Sequence, residues 1–177
     1  ERVYGNLLDH ASLIRAMHGV DIVHHVAATF QFATDPLRDP AAYRQDCETF
    51  YGNNLVGTTR LLLAAQHARV RRIVYTSTVG CIGLPRRNTD GSFTPTDEAT
   101  PVGEAQMRNH YKISKWRAEV VARELASKGA PVVIVNPPQK LTALAGGSAL
   151  FSVDATGTGP LSYQWSRDGV ALPGRTE

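Results

Sequence analysis

A doubly wound α/β fold on a parallel sheet, followed by a short all-β segment, is what this sequence predicts. Three observations carry that expectation. Residues 72–78 and 131–136 are compact apolar runs, the kind buried on both faces in a parallel sheet. Long helical patterns separate the strand-like runs, and such alternation calls for right-handed β-α-β units with helices on both faces. Past Pro137-Pro138 the helical period disappears and period-two alternation takes its place.

Taken in order, Val3, Tyr4 and Gly5 read as the end of a short strand. Asp9 or Ser12 can cap a helix whose apolar face is Leu13, Ala16 and Met17, and Gly19 stops it. Residues 21–28 form an apolar strand interrupted by His24 and His25. After a loop with Pro36 and Pro40, one long helix covers about 42–68. Phe50, Asn54, Gly57, Leu61, Ala64 and Ala68 recur there at helical spacing and make one buried stripe. Strand 72–78 follows, then a turn-rich polar stretch over 83–103. A helix from about 106 to 127 ends at Gly129, and strand 131–136 comes next. The strands at 21–28, 72–78 and 131–136 should lie side by side and parallel.

The rest of the chain is written differently. Ala149, Phe151, Val153 and Ala155 alternate with polar residues, as do Leu161, Tyr163 and Trp165 after the turn Gly157-Thr158-Gly159-Pro160. Arg167-Asp168-Gly169 is a hairpin signal. This is the pattern of antiparallel strands.

The totals exclude several classes. The 177 residues suit one domain, or one domain and a small appendix. The formal charge of +3 is concentrated in Arg69, Arg71 and Arg72 before a strand and Arg86-Arg87 in a loop. These read as solvated charges, so no nucleic-acid partner is expected. No apolar run approaches membrane-span length, and no signal segment opens the sequence. Cys47 and Cys81 have no metal-like spacing and fit reduced thiols. His24 and His25 have no second ligand cluster, so no metal site is expected. The sequence opens on Glu1 rather than Met, and a missing N-terminal stretch is expected.

The chemistry points to Tyr111, Lys115 and Thr78. A Tyr and a Lys four apart share a helix face. Placed near the phenol, the Lys115 ammonium would favour the phenolate and lower the Tyr111 pKa from about 10. Thr78, at the end of a strand, supplies a hydroxyl to hold a substrate oxygen. Such a trio suits proton transfer to or from a carbonyl or alcohol oxygen during hydride transfer. Cys81 follows that strand without a paired base and reads as inert.

Over about residues 2–137 the sequence resembles the extended short-chain dehydrogenase/reductase family, in its NAD-dependent epimerase/dehydratase branch. Gly5-Asn6-Leu7 is similar to the Gly-Asp-Leu that touches adenine, with Asn in place of Asp. His25-Val26-Ala27-Ala28 resembles the strand end that lines the cofactor, and Asn54-Leu55-Val56-Gly57-Thr58 the Asn-Val-x-Gly-Thr helix motif. Thr76-Ser77-Thr78 with Gly83, then Asp97-Glu98, Tyr111 and Lys115, are similar to the active-site strand and helix. Residues 132–137 resemble the strand whose Pro ending borders the nicotinamide. The nearest flavours are hopanoid-associated sugar epimerases, dihydroflavonol reductases and hydroxysteroid dehydrogenases.

This resemblance implies an incomplete Rossmann-like sheet binding NAD or NADP. It implies catalytic Thr78, Tyr111 and Lys115, and cofactor contacts from Asn6, Leu7, Ala27, Ala28, Asn54, Tyr111, Lys115 and Pro137. It implies an alcohol or ketone substrate (a nucleotide sugar, a sterol-like molecule or another), a cytoplasmic setting and a frequent dimer. Two departures matter more than any substitution. The family's strand, Gly-x-x-Gly-x-x-Gly turn and pyrophosphate-binding helix have no counterpart in these residues. Past Pro137 the sequence is instead similar to part of a bacterial immunoglobulin-like sandwich, with Trp165 at its core position and Phe151 where a disulfide cysteine would sit. The expectation is therefore a partial NAD(P)-binding domain over 1–137 and a partial immunoglobulin-like segment over 138–177. Such a chain would bind dinucleotide weakly and turn nothing over. The alternatives are a surface or secreted binding protein with immunoglobulin-like repeats, or a nonfunctional fusion or gene-model fragment.

Overall fold

The computed structural model describes residues 2–31, 34–94, 96, 100, 102–136, 154–157, 166–167 and 170–171. Its main sheet contains β1 (Ile22–His25), β2 (Arg72–Thr76), β5 (Val132–Asn136) and β6 (Asp154–Gly157), in the order β1-β2-β5-β6. The first three are parallel, with Ile22 opposite Arg72 and Ile73 opposite Val132. Two short antiparallel pairs lie outside it. These are β3 (Arg86–Arg87) with β4 (Phe93–Thr94), and β7 (Ser166–Arg167) with β8 (Val170–Ala171).

The helices begin where short polar side chains can take up free N–H groups. Asp9 caps α1 (His10–Ala16) by accepting from the Ala11 and Ser12 amides. Asp39 caps α2 (Pro40–Phe50) in the same way, with Pro40 opening the helix. Asn109 caps α4 (His110–Ser127), accepting from Lys112 N at 2.8 Å. Gly129 then ends that run with φ +90, a conformation that glycine adopts without a Cβ penalty.

The long helix expected over 42–68 is interrupted. Between α2 and α3 (Thr58–His67) the chain runs through a π-helical stretch, Tyr51–Gly57. Its wider turn carries Asn54 and Gly57 inward together, and such bulges recur at functional sites. Gly57 allows the N-terminal segment to approach: a Cβ there would stand 2.8 Å from Leu7 Cβ. Leu7 Cβ is anchored to its own backbone and cannot swing away. Gly57→Ala is therefore expected to destabilise by about 1–3 kcal/mol despite alanine's better helix propensity. Urea unfolding checks this; an unchanged or raised midpoint would show that Leu7 yields freely.

One core joins the sheet to its helices. Val23, Ile73, Tyr75, Val132 and Ile134 pack against Leu13 and Met17 of α1 and its end, Leu61, Leu62, Ala64 and Ala65 of α3, and Ala118 and Ala122 of α4. The opposite side of the first two strands is less covered: Ile22 and His24 are exposed, and Val74 and Thr76 half-buried. The described helices thus cover one face, not the two expected. An apolar run reads the same whether one or both faces are covered.

Other expectations also change. Val3 to Gly5 is irregular rather than strand. Ala68 is exposed, because α3 has ended at His67. A 3-10 turn at Glu104–Gln106 precedes α4, which starts later than expected. Residues 154–157 pair antiparallel with β5, Asn136 opposite Asp154. Phe151, Tyr163 and Trp165 lie outside the described residues.

Candidate functional site

Of three successive residues at the C-terminal end of β2, the first two are held by α4 and the third faces it. The Lys115 ammonium donates to the Thr76 carbonyl at 3.1 Å. The Ser77 hydroxyl donates to Glu119 Oε2. The Thr78 hydroxyl lies near enough to the Tyr111 phenol to lower its pKa. The structure thus brings Thr78, Tyr111 and Lys115 together, at the end of a parallel sheet where ligands bind in such folds.

Their electrostatics differ from the sequence expectation. Burial raises the Tyr111 pKa above its usual value, and the Thr78 hydroxyl pulls it partly back down. Lys115 does not set that value. Its ammonium turns into the protein, against the Thr76 carbonyl and 4.7 Å from the Tyr75 ring centroid. Only 4% exposed, it has a lowered pKa through burial. The Tyr111 ring is seated between Phe30, edge-on at 4.9 Å, and Phe50 at 6.1 Å.

A groove of about 320 Å³ runs past the end of β1, lined by Gly5, Asn6, Leu7, Ala27, Ala28, Thr29 and Asn53. Four of the expected cofactor contacts, Asn6, Leu7, Ala27 and Ala28, therefore converge. Small side chains keep it open at Ala27 and Ala28, and Leu7 gives it an apolar wall. Its volume lies near the lower bound for ligand pockets, roughly 300–1,000 Å³, so it suits part of a dinucleotide.

Asn54 faces inward and does not line the groove. Its oxygen accepts from Thr29 N at 2.7 Å, and its amide donates to Thr29 O at 3.0 Å and Ser114 Oγ at 3.1 Å. At 1% exposure it braces the loop after β1 against α4. Its neighbour Asn53 lines the groove and donates to Thr29 Oγ1 at 2.8 Å. The tandem Asn53-Asn54 was the available signal, but which of the two turns inward depends on the π-helical stretch. Pro137 and the pair Asp97-Glu98 lie outside the described residues.

A second hollow of about 320 Å³ opens beyond Thr78, lined by Val79, Ile82, Gly83, Leu84, Pro85, Thr96 and Lys112. It follows directly from the Thr78 turn and from the residue after Tyr111. Nearby, His25 is buried, with Nε2 2.8 Å from Thr58 Oγ1. Burial first, and the Lys115 charge second, depress its pKa to about 4, so it is neutral at pH 7. Burial and Glu119 push the Cys81 thiol up to about 11, which keeps it protonated and unreactive. Among the described residues no cluster of His, Cys, Asp and Glu could hold a metal ion, and no helix is long and apolar enough to cross a membrane.

Sequence reasoning missed Ser77, Glu119 and Arg123. Tyr111, Lys115, Glu119 and Arg123 recur every four residues along α4, and that ladder was the signal.

Comparison with known proteins agrees with this layout. A family model for NAD binding, described as Male sterility protein, matches residues 7–141. Sterol demethylase protein B of Methylococcus capsulatus is 33% identical over 137 residues, 77% of this chain and 37% of that protein. The crystal structure of gox2253 shares 41% identity and a TM-score of 0.60, covering 76% of this chain and 36% of its own. A short-chain dehydrogenase/reductase superfamily protein from Agrobacterium tumefaciens, solved with bound NAD, shares 25% identity and a TM-score of 0.52 over 77% of this chain and 36% of its own. The chain spans little more than a third of the length of these relatives.

Proposed function

We infer function from membership and geometry together: this chain belongs to the NAD-binding family described as Male sterility protein, within the short-chain dehydrogenase/reductase fold. The proposed chemistry is hydride exchange at an alcohol or ketone carbon, as in a reductase, epimerase or dehydratase. The observation that carries it is Thr78 facing Tyr111 at the end of the parallel sheet, with Lys115 buried beside them.

Tyr111 moves the proton at the substrate oxygen. Its raised pKa keeps the phenol protonated at pH 7, so it is poised to donate to a developing alkoxide. Thr78 holds the same oxygen through its hydroxyl. Lys115 uses one ammonium hydrogen on the Thr76 carbonyl and retains donors for a ribose hydroxyl. The buried Phe50 ring packs against the Tyr111 ring and limits water on that side. When bound, the nicotinamide dinucleotide supplies or accepts the hydride. Asn6, Leu7, Ala27 and Ala28 would hold its adenosine side. The hollow beyond Thr78 would take the substrate body, whether nucleotide sugar, sterol-like or another alcohol or ketone.

These residues alone hold the dinucleotide weakly. A pyrophosphate is normally received by free N–H groups at a helix N-terminus. Here α1, α2 and α4 spend those groups on Asp9, Asp39 and Asn109, and α3 continues directly from the π-helical stretch. NADH at micromolar concentration should give no saturable fluorescence change. NAD at millimolar concentration should shift the amide signals of Asn6, Leu7, Ala27 and Ala28. Saturation at micromolar cofactor would overturn the weak binding, and shifts confined to other residues would overturn the assignment of the groove.

A further inference from the structure

Outside the trio, the carboxylate of Glu119 is a buried charged group near the site, 7% exposed. Each of its oxygens is occupied. Oε2 accepts from the Ser77 hydroxyl, and Oε1 accepts from Arg123 Nε at 2.9 Å and Nη2 at 2.7 Å. The helix explains the arrangement. A spacing of four turns about 40° past one full turn, so the rungs wind slowly around α4. Lys115 and Glu119 remain buried against the sheet, while Arg123 emerges and meets solvent.

Ser77 is therefore fixed twice. Its amide donates to the Val135 carbonyl at 2.8 Å, within the sheet, and its hydroxyl is fixed by α4. The next residue is Thr78, whose extended backbone (φ −152, ψ 145) opens the turn Val79–Cys81. The Thr78 hydroxyl accepts from Gly80 N at 3.2 Å, and a Cβ on Gly80 would lie 3.5 Å from that hydroxyl. Thr78 thus has little freedom once Ser77 is placed.

A buried carboxylate is an expensive way to gain stability, and an apolar side chain of the same volume is often as good or better. Its use beside the Thr78 turn calls for another reason. We propose that Glu119 is a positioning residue: held by Arg123, it fixes Ser77 and thereby aims the Thr78 hydroxyl at Tyr111. The assignment deepens the oxidoreductase reading, since it takes Thr78 and Tyr111 as the working pair, but its test needs neither cofactor nor substrate.

The readout is the ionisation of Tyr111, followed by carbon NMR of ring-labelled tyrosine in the full chain, with Tyr111→Phe identifying the signal. The Thr78 hydroxyl lowers the Tyr111 pKa, so turning it away raises that pKa, whereas removal of a nearby negative charge by itself lowers it. The Cys81 thiolate also raises the Tyr111 pKa and is itself held back by Glu119, so every variant is compared in a Cys81→Ala background, where the sign separates positioning from loss of the Glu119 charge. Glu119→Met should raise the pKa by about one unit, the size of effect a single hydrogen bond to the charged form produces, and so cut the ionised fraction at pH 11 several-fold. Thr78→Val should give the same rise, and the double variant no more than either single one. Glu119→Gln keeps an acceptor for Ser77 and should stay near the Cys81→Ala parent. Ser77→Ala retains the carboxylate charge and should reproduce the rise; it decides the matter if Glu119→Met does not fold. An unchanged or lowered Tyr111 pKa in the folded variants, or rises that add, would overturn the assignment. A positive result with no NAD response would leave the positioning intact and remove the cofactor reading alone.

Discussion

Between pH 7 and pH 4 the chain is expected to lose on the order of 3 kcal/mol of stability through His25 alone. The folded pKa is about 4 against an ordinary 6.5, so the unfolded chain takes up the proton first. The contribution is fully present above pH 6.5, falls as the pH drops toward 4, and levels off below that. The cause is structural: the 2%-exposed ring has Thr58 Oγ1 at one nitrogen, the Tyr75 ring at 5.7 Å and the Lys115 charge nearby. Burial first and the Lys115 charge second disfavour an imidazolium there. Urea midpoints measured from pH 7 to pH 4 should fall for the unaltered chain and stay much flatter for His25→Gln. The carboxylates with lowered pKa, Asp46, Asp90, Glu104 and Glu124, act alike in both proteins. Matching pH slopes would show that His25 accepts a proton in the folded state at no cost.

Asn54→Leu should cost about 2–4 kcal/mol, because one substitution orphans three partners. The Thr29 amide and carbonyl lose their pairing, and the Ser114 hydroxyl loses its donor. The damage is local as well as global: residues 27–29 line the groove, so their amide protons should exchange faster before the rest of the sheet opens. Denaturant midpoints and amide exchange read the two effects separately. A midpoint shift below about 0.5 kcal/mol would mean that water replaces the amide without penalty, and Asn54 would then be no brace.

The parallel strands were legible because short apolar runs between helical patterns have few other readings. Thr78, Tyr111 and Lys115 were legible because a spacing of four and a strand end are local facts. Direction was harder. Lys115 shares a face with Tyr111, yet the same helical advance that aligns them rotates it inward, toward the Thr76 carbonyl. Asn54 lay on the predicted stripe, but a helical period cannot reveal the wide turn that chose it over Asn53. Glu119 was hidden because its partner Ser77 lies on a different element, and nothing near either residue in sequence marks the pairing. Coverage of one sheet face is hidden for a related reason, since Ile22 reads as core in any apolar run.

The strand β6 carries a consequence for the order of assembly. Asn136 and Asp154 close a far shorter loop than Ile73 and Val132, which must meet across the whole of α4. Short closures cost less entropy and form sooner. The antiparallel partner is therefore expected to reach β5 while its other side is still waiting for β2. Because the early arrival occupies only one side, it leaves the slow parallel pairing unobstructed and gives β2 a partly ordered strand to find.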